Sequence, residues 1–226
     1  MIKAIFFDWG NTLATFSKNR EKELNKVLEP FGFSWRRFYP LWRQFYILRS
    51  SGMIKNDRDF ENYIKKVSQK NIPMREIIKI SINNSVIPKE HIEVVRALKK
   101  KYKVGILSNY VQAWAKQVLR NYKIDNLFDA VIISSKIGTR KPDAFIYYQA
   151  LKKLAVRPEE SVFVSDEISD DLVAATGLGI KTIWFNPKVK EWEDKKDEKV
   201  LKIYKPDAVI KNFKELISAI NFIKIK

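Results

Sequence analysis

The chain has 226 residues, of which 46% are hydrophobic and 31% charged, a composition typical of a folded globular protein and not of a disordered one. Its formal net charge of +17 favours anionic partners, a class that includes small phosphorylated metabolites, nucleic acid and acidic lipid surfaces. We interpret the lysines as a solvated surface, so that nucleic-acid binding is not expected. The sequence has no cysteine for disulfides or thiolate chemistry, no apolar run near the roughly 20 residues of a membrane span and no signal-peptide pattern, so we expect a cytoplasmic protein.

The first predicted element is a buried strand over residues 2–7, a mostly apolar run that ends at Asp8. The turn-forming residues Gly10 and Asn11 follow directly. A carboxylate at the end of a buried strand is costly unless it has partners. Asp8 is therefore a candidate functional residue.

Residues 17–84 carry helical patterns and no strand pattern. Four helices are predicted, over residues 20–28, 35–49, 60–68 and 74–82. Asn56 or Asp57 is expected to cap the third helix, and Pro40 is expected to kink or divide the second. The second helix interleaves arginines with aromatic residues, which indicates an amphipathic helix that packs its rings. We interpret this stretch as a helical insertion.

Strand and helix patterns alternate from about residue 86 onward. Further strands are predicted over residues 103–107, 130–133, 161–164, 181–185 and 208–210, and helices over residues 88–101, 112–122, 143–154, 169–176 and 213–220. This alternation predicts an α/β fold, a Rossmann-like doubly wound parallel sheet with helices on both faces. The core domain would comprise residues 1–16 and 85–226, and the inserted α-helical domain residues 17–84. The lone histidine, His91, is expected at the surface.

Polar residues follow several of the predicted strands, at the edge where ligands bind in parallel sheets. A carboxylate there, such as Asp8, can attack phosphorus or carbon and form a covalent intermediate that water then hydrolyses. Attack on a phosphoryl group needs positive charge and hydrogen-bond donors, which Lys141 and the Ser108 hydroxyl can supply. Taken singly, Ser108 and Asp171 are better explained as turn or cap residues.

Taken together and in order, these segments resemble the four motifs of the haloacid dehalogenase superfamily, whose members are mostly phosphohydrolases. The first motif, DxDxT after an apolar strand, matches FFDWGNTL, and the second, a Ser or Thr that ends a strand, matches VGILSN. The third, a Lys before Pro, matches GTRKPDAF, and the fourth, an acidic pair, matches VSDEISDDL. The insertion after the first motif resembles the helical type 1 cap of this superfamily.

The resemblance implies a hydrolase in which Asp8 is the nucleophile and Lys141 the second catalytic residue. It also implies a Mg²⁺ cofactor, with Asp8, the carbonyl of Gly10 and Asp166 as ligands. The activity most in keeping with this set is that of a Mg²⁺-dependent phosphatase of a small phosphorylated metabolite, acting through an aspartyl-phosphate.

Four further residues receive supporting or substrate-binding roles. By the resemblance, Thr12, Ser108 and Asn109 would bind the substrate. Asp171 would orient Lys141 or cap a helix.

The chain departs from the pattern at Gly10, where most phosphatases of the superfamily carry a second Asp as general acid and base. Such a group contributes roughly 10²- to 10⁴-fold to the rate. Alternatives therefore stay open: a metal-independent 2-haloacid dehalogenase, a phosphonatase with a Schiff-base lysine such as Lys22 or Lys26, or a noncatalytic binding protein. Asp166 favours Mg²⁺ and phosphoryl chemistry, since the dehalogenases usually lack that acid.

Overall fold

A parallel sheet forms the centre of the computed structural model, which describes residues 1–187 and 200–225. In chain order the strands are β1 (Ala4–Phe7), β2 (Thr15–Phe16), β3 (Ser85–Val86), β4 (Lys103–Ser108), β5 (Ala130–Ile133), β6 (Ser161–Ser165), β7 (Lys181–Phe185) and β8 (Ala208–Ile210). Six of them pair in parallel in the order β5-β4-β1-β6-β7-β8. The predicted α/β fold with a parallel sheet is confirmed.

Both faces of the sheet are covered by apolar packing, which is why its strands are almost uniformly hydrophobic. Along β1, Ile5 and Phe7 belong to one buried cluster and Ala4 and Phe6 to the other. Gly105 of β4 lies against the Phe6 ring, where a Cβ would approach a ring carbon to 2.9 Å. Close packing on both faces holds β1 at the middle of the sheet.

The helical insertion forms four helices between β2 and β3. They are α1 (Arg20–Leu28), α2 (Trp35–Ser50), α3 (Asp57–Ser68) and α4 (Met74–Asn83). The expected division of the second helix is wrong, because α2 runs unbroken through Pro40. Proline removes the helix hydrogen bond to the carbonyl of Arg36 and crowds that carbonyl, but its fixed φ is compatible with a helix and Pro40 lies near the start of α2. The cap of α3 is Asn56, whose side chain accepts from the main-chain N–H of Asp59 at 2.9 Å.

The remaining helices flank the sheet. They are α5 (Lys89–Lys99), α6 (Gln112–Asn121), α7 (Ser134–Ile137), α8 (Ala144–Leu154), α9 (Val173–Gly177) and α10 (Leu216–Ile225). Where a helix was predicted over residues 169–176, a π-helical turn over Ile168–Leu172 precedes α9. Such turns are frequent at functional sites, and this one carries Asp171. Within the described part of the chain, no helix is both long and apolar enough to cross a membrane.

Two very short strands connect the insertion to the sheet. Thr15 pairs with Val86 and Phe16 with Ser85 in an antiparallel ladder that the sequence pattern did not predict. A two-residue strand has no detectable periodicity, and its pairing depends on partners far away in the sequence. The ladder brings both ends of the insertion together beside β1.

His91 is buried, contrary to the expected surface position. Its ring stacks on Phe213 at 3.9 Å between centroids, and its Nδ1 lies 3.3 Å from the carbonyl oxygen of Leu13. Burial lowers the pKa of His91, against the raising influence of the Leu13 carbonyl. The residue is at the start of α5, but the C-terminal segment folds over that end of the helix and covers it.

Candidate active site

The carboxyl ends of β1, β4 and β6 meet at one edge of the sheet, because β1 lies between the other two strands. The main-chain N–H of Asp8 donates to the Val164 carbonyl at 2.9 Å, which extends the β1–β6 ladder by one residue. Ser108 ends β4, and Asp166 directly follows β6. Three of the residues singled out from the sequence are thus gathered at one edge.

Lys141 lies at the centre of this group. Its ammonium donates to Oδ1 of Asp8 at 2.7 Å and to Oδ2 of Asp171 at 2.5 Å, and only 4% of the residue is exposed. Burial by itself lowers the pKa of Lys141, but the charges of Asp171 and Asp8 outweigh burial, and the pKa is raised. Lys141 therefore stays charged beside Asp8.

Asp171 binds Lys141 instead of capping a helix. The oxygen that faces the ammonium also accepts from the Ser165 hydroxyl at 2.6 Å. Burial raises the pKa of Asp171, the charge of Lys141 opposes this, and the balance is a raised pKa. Of the two roles considered for Asp171, the geometry supports the one that orients Lys141.

Asn109 contacts the main chain of Lys141. Its Oδ1 accepts from the Lys141 N–H at 2.8 Å, and its Nδ2 donates to the Lys141 carbonyl at 2.9 Å. The carbonyl of Asn109 in turn accepts from the Tyr46 hydroxyl of α2 at 3.0 Å. The side chain that was expected to bind substrate is thus occupied with positioning the loop that carries Lys141, although it also lines the cavity described below.

Thr12 is bonded to Asp166 and is only 1% exposed. Its hydroxyl donates to Oδ1 of Asp166 at 3.0 Å and accepts from the Asp166 N–H at 2.9 Å. Burial, and next the charge of Asp8, raise the pKa of Asp166 to about 7. Thr12 was expected to bind substrate, but here it orients a carboxylate that lies near Asp8.

Gly10 leaves open space at the position of the missing acid. A Cβ built on Gly10 would have no atom within 4 Å beyond its two chain neighbours, and the residue does not adopt a positive φ. The next residue, Asn11, is in the left-handed region with φ 53°. Neither crowding nor backbone conformation demands glycine at position 10.

The donor atoms of this group fit a hard divalent cation. Among residues 1–187 and 200–225, no three Asp, Glu or His side chains converge into a closed cage. Mg²⁺ does not require such a cage, because it usually takes one or two carboxylates and keeps waters or substrate oxygens as its other ligands. The predicted ligands, the carboxylates of Asp8 and Asp166 with the carbonyl of Gly10, would make such an open set. The raised pKa of Asp166 reflects an excess of buried negative charge that a cation would relieve.

A cavity of about 350 Å³ opens over Asp8, between the sheet and the insertion. The sheet side contributes Asp8, Gly10, Asn11, Ser108, Lys141 and Asp171. From the insertion, Arg20, Tyr39, Trp42, Arg43 and Tyr46 line the opposite wall. The volume is at the lower end of the range typical of small-molecule sites, roughly 300 to 1,000 Å³.

The insertion is closed onto the sheet domain by specific contacts. The Ser134 hydroxyl donates to the Ser50 carbonyl at 2.6 Å, and the indole N–H of Trp114 donates to Asp57 at 3.0 Å. Trp114 also stacks on Trp42 at 6.0 Å, so most rings of α2 pack inward as predicted, whereas Tyr39 is exposed. One apolar cluster runs without a break from the sheet into the insertion.

Three charged residues that line the cavity were not singled out from the sequence: Arg20, Glu167 and Asp170. Glu167 and Asp170 lie inside the acidic segment VSDEISDDL, and that proximity is a signal that could have found them. Arg20 has no such signal, because its place in the cavity depends on how α1 packs against α2 and α4.

Comparison with known proteins gives consistent matches. A family model described as haloacid dehalogenase-like hydrolase matches residues 5–185. A glyceraldehyde 3-phosphate phosphatase from Methanothermobacter thermautotrophicus is 27% identical over 205 residues, which are 85% of this chain and 89% of that protein.

Two solved structures share the fold. One is a haloacid dehalogenase family enzyme from Bacteroides thetaiotaomicron in complex with magnesium and inorganic phosphate. Its TM-score is 0.70 at 21% identity, and the alignment covers 84% of this chain and 97% of that chain. A 2-haloacid dehalogenase from Pseudomonas syringae pv. Tomato has a TM-score of 0.70 at 20% identity, over 98% and 99% of the two chains. At these identities the likeness concerns the fold alone.

Proposed function

The chain belongs to the haloacid dehalogenase-like hydrolase family, and on this premise we propose that it is a Mg²⁺-dependent phosphatase of a small phosphorylated metabolite. The observation that carries the proposal is Asp8, which accepts from the buried ammonium of Lys141 and lies close enough to the Asp166 carboxylate for its charge to raise the pKa of Asp166. A relative named as a phosphatase of a three-carbon phosphate supports a small phosphorylated substrate.

Asp8 is the nucleophile in this proposal. Lys141 holds Oδ1, so Oδ2 attacks phosphorus, and the bond from phosphorus to the leaving-group oxygen breaks. Water then attacks the phosphorus of the aspartyl-phosphate, and the bond between phosphorus and Asp8 breaks. Inorganic phosphate, which carries the oxygen of the water, is released, and the free carboxylate of Asp8 is restored. Lys141 and the Ser108 hydroxyl stabilise the charge on the transferring oxygens.

Asp8, Asp166 and the carbonyl of Gly10 would hold the Mg²⁺. When bound, the ion supplies positive charge that offsets the repulsion between the attacking carboxylate and the phosphoryl oxygens. Thr12 keeps the Asp166 carboxylate in place through its two hydrogen bonds. Asn109 keeps Lys141 in place by its hold on the main chain.

The leaving group receives no proton from position 10. Gly10 has no side chain, and the space beside it is open to water in the cavity. We therefore expect esters with good leaving groups, such as aryl phosphates, to react faster than alkyl phosphates.

The insertion over residues 17–84 acts as a cap domain on a core of residues 1–16 and 85–226. Its residues line one wall of the cavity, which supports a role in selecting the substrate and excluding water. The cytoplasmic location stays a prediction.

The experiment that tests the function is a panel of phosphate esters and 2-haloacids, each assayed with Mg²⁺ and with EDTA. We expect phosphate release that requires Mg²⁺, disappears with EDTA and returns with excess Mg²⁺. Binding of phosphate esters without turnover of any compound would instead identify a noncatalytic binding protein.

A metal-independent 2-haloacid dehalogenase is the second candidate, favoured by the absence of a side chain at Gly10. Its chemistry needs no general acid, because halide leaves without a proton. Halide release from a 2-haloacid at the same rate with EDTA as with Mg²⁺ would establish it. The presence of Asp166 beside Asp8 favours the phosphatase.

A further inference from the structure

Arg20 is a cation in the cavity wall that the phosphatase chemistry does not use. It is the first residue of α1, and its guanidinium lies over the Phe16 ring at 3.9 Å and the Trp35 ring at 4.6 Å. Its Nε and Nη2 both donate to one atom, the Ser81 hydroxyl oxygen of α4, at 3.3 and 3.2 Å. Contacts from three sides thus fix the position of this charged group.

The guanidinium has donors to spare. It carries five N–H groups, and the two bonds to Ser81 use only part of them. Within residues 1–187 and 200–225, no carboxylate lies within ion-pair distance of Arg20, and the nearby Glu21 pairs with Arg36 at 3.3 Å. Burial lowers the pKa of Arg20 to about 10, an influence that Tyr110, Tyr39 and Glu21 oppose. A half-buried cation without an anionic partner is costly unless a ligand supplies one.

The cavity therefore has two cationic parts. Lys141 lies beside Asp8, at the end of the cavity where the phosphoryl group would react, whereas Arg20 lines the same cavity from the insertion. Arg43 of α2 lines the insertion side as well, so the charge there is positive, in contrast to the carboxylates at the sheet edge. Guanidinium groups bind carboxylate and phosphate with paired hydrogen bonds.

We propose that Arg20 binds a second anionic group of the substrate, so that the preferred substrate is a short phosphate ester with a carboxylate or a second phosphate at its other end. This inference rests on the proposed phosphatase function and narrows its substrate class. The cavity of about 350 Å³ limits the chain between the two anionic groups to a few carbons.

Three esters with the same three-carbon chain test the inference: n-propyl phosphate, 3-phosphonooxypropanoate and propane-1,3-diyl bisphosphate. With the wild-type protein and Mg²⁺, we expect a higher kcat/KM for at least one of the two esters that carry an anionic group at each end than for n-propyl phosphate. The expected difference is about 10- to 100-fold, the usual contribution of a charged hydrogen-bonded pair. Comparison of 3-phosphonooxypropanoate with propane-1,3-diyl bisphosphate shows whether the second anionic group is a carboxylate or a phosphate. Equal kcat/KM for all three esters would overturn the inference while leaving the phosphatase function intact.

The variant Arg20→Met keeps an apolar stem over Phe16 and removes the charge. We expect it to lose the preference, mainly by a KM for the favoured ester that rises about 10- to 100-fold, with n-propyl phosphate turnover within about threefold of wild type. Arg20→Lys keeps the charge but not the paired N–H groups of the guanidinium. Its KM for the favoured ester should lie between those of the wild type and Arg20→Met. The matched control is Arg37→Gln, which removes an exposed charge of α2 outside the cavity.

Equal losses on all three esters in Arg20→Met would mean a structural role and would overturn the inference. If the wild type hydrolyses none of the esters, the proposed function fails. The inference about Arg20 is then tested by measuring the affinity for the same esters. Calorimetry with Mg²⁺ and the same three esters then compares Asp8→Asn with the Asp8→Asn/Arg20→Met double variant. Unchanged affinity for the charged esters in the double variant would contradict a second anion site.

Discussion

The single hydroxyl of Thr12 makes two hydrogen bonds to Asp166, a residue 154 positions further along the chain. It donates to the carboxylate at 3.0 Å and accepts from the main-chain N–H at 2.9 Å. Loop β1–β2 and the end of β6 are thereby joined at the point where the proposed metal ligands meet. Mutation of residues that orient metal ligands in this way typically lowers metal affinity or activity by about 10- to 100-fold.

Replacement of Thr12 by Val should weaken Mg²⁺ binding by about 10-fold, because the isosteric side chain cannot hold Asp166. Thr12→Ser keeps the hydroxyl and should retain affinity close to that of the wild type. Calorimetric titration with Mg²⁺ measures both. If Thr12 contacts the substrate instead, Thr12→Val will raise KM and leave the Mg²⁺ affinity unchanged.

Replacement of Asp166 by Asn should reduce Mg²⁺ affinity by about 10-fold or more, since a charged ligand is lost while the hydrogen bonds to Thr12 can persist. Activity should recover in part at high Mg²⁺ concentration. The matched control is Asp125→Asn, which removes an exposed carboxylate outside the cavity. Equal Mg²⁺ affinity in the two variants would show that Asp166 is not a ligand.

Replacement of Asp8 by Asn should abolish phosphate release, with a loss of roughly 10⁴-fold or more, because an amide cannot act as the nucleophile. The fold should persist, since Lys141 keeps its ion pair with Asp171. Hydrolysis of p-nitrophenyl phosphate and the Tm by calorimetry provide the two measurements. Hydrolysis by Asp8→Asn near the wild-type rate would contradict the covalent mechanism with Asp8 as the nucleophile.

Replacement of Gly10 by Asp should increase turnover of alkyl phosphates more than that of aryl phosphates, by up to about 10²-fold, because only alkyl leaving groups need a proton. The open space around the Cβ and the absence of a positive φ allow the side chain. Gly10→Asn has the same shape without the acid and serves as the control. A folded, Mg²⁺-binding Gly10→Asp protein without this selective gain would indicate that another group already supplies the proton.

The sequence by itself determined the class of fold and the main chemical groups. Apolar runs such as Ala130–Ile133 and Lys181–Phe185 are strands in the structure with the predicted bounds, because burial on both faces requires continuous hydrophobicity. Asp8 and Lys141 were identifiable because each lies in a short local pattern. The meeting of Asp8, Ser108 and Asp166 at one edge follows from the parallel direction of β1, β4 and β6.

Only the tertiary structure decided which partner each polar side chain has. Thr12 and Asn109 were expected to contact substrate, but they bond Asp166 and the main chain of Lys141. His91 is buried by the C-terminal segment, and Arg20 reaches the cavity because α1 packs against α2 and α4. Local periodicity reports which face of an element is apolar, whereas these contacts depend on the order of the strands and on how the insertion packs against them.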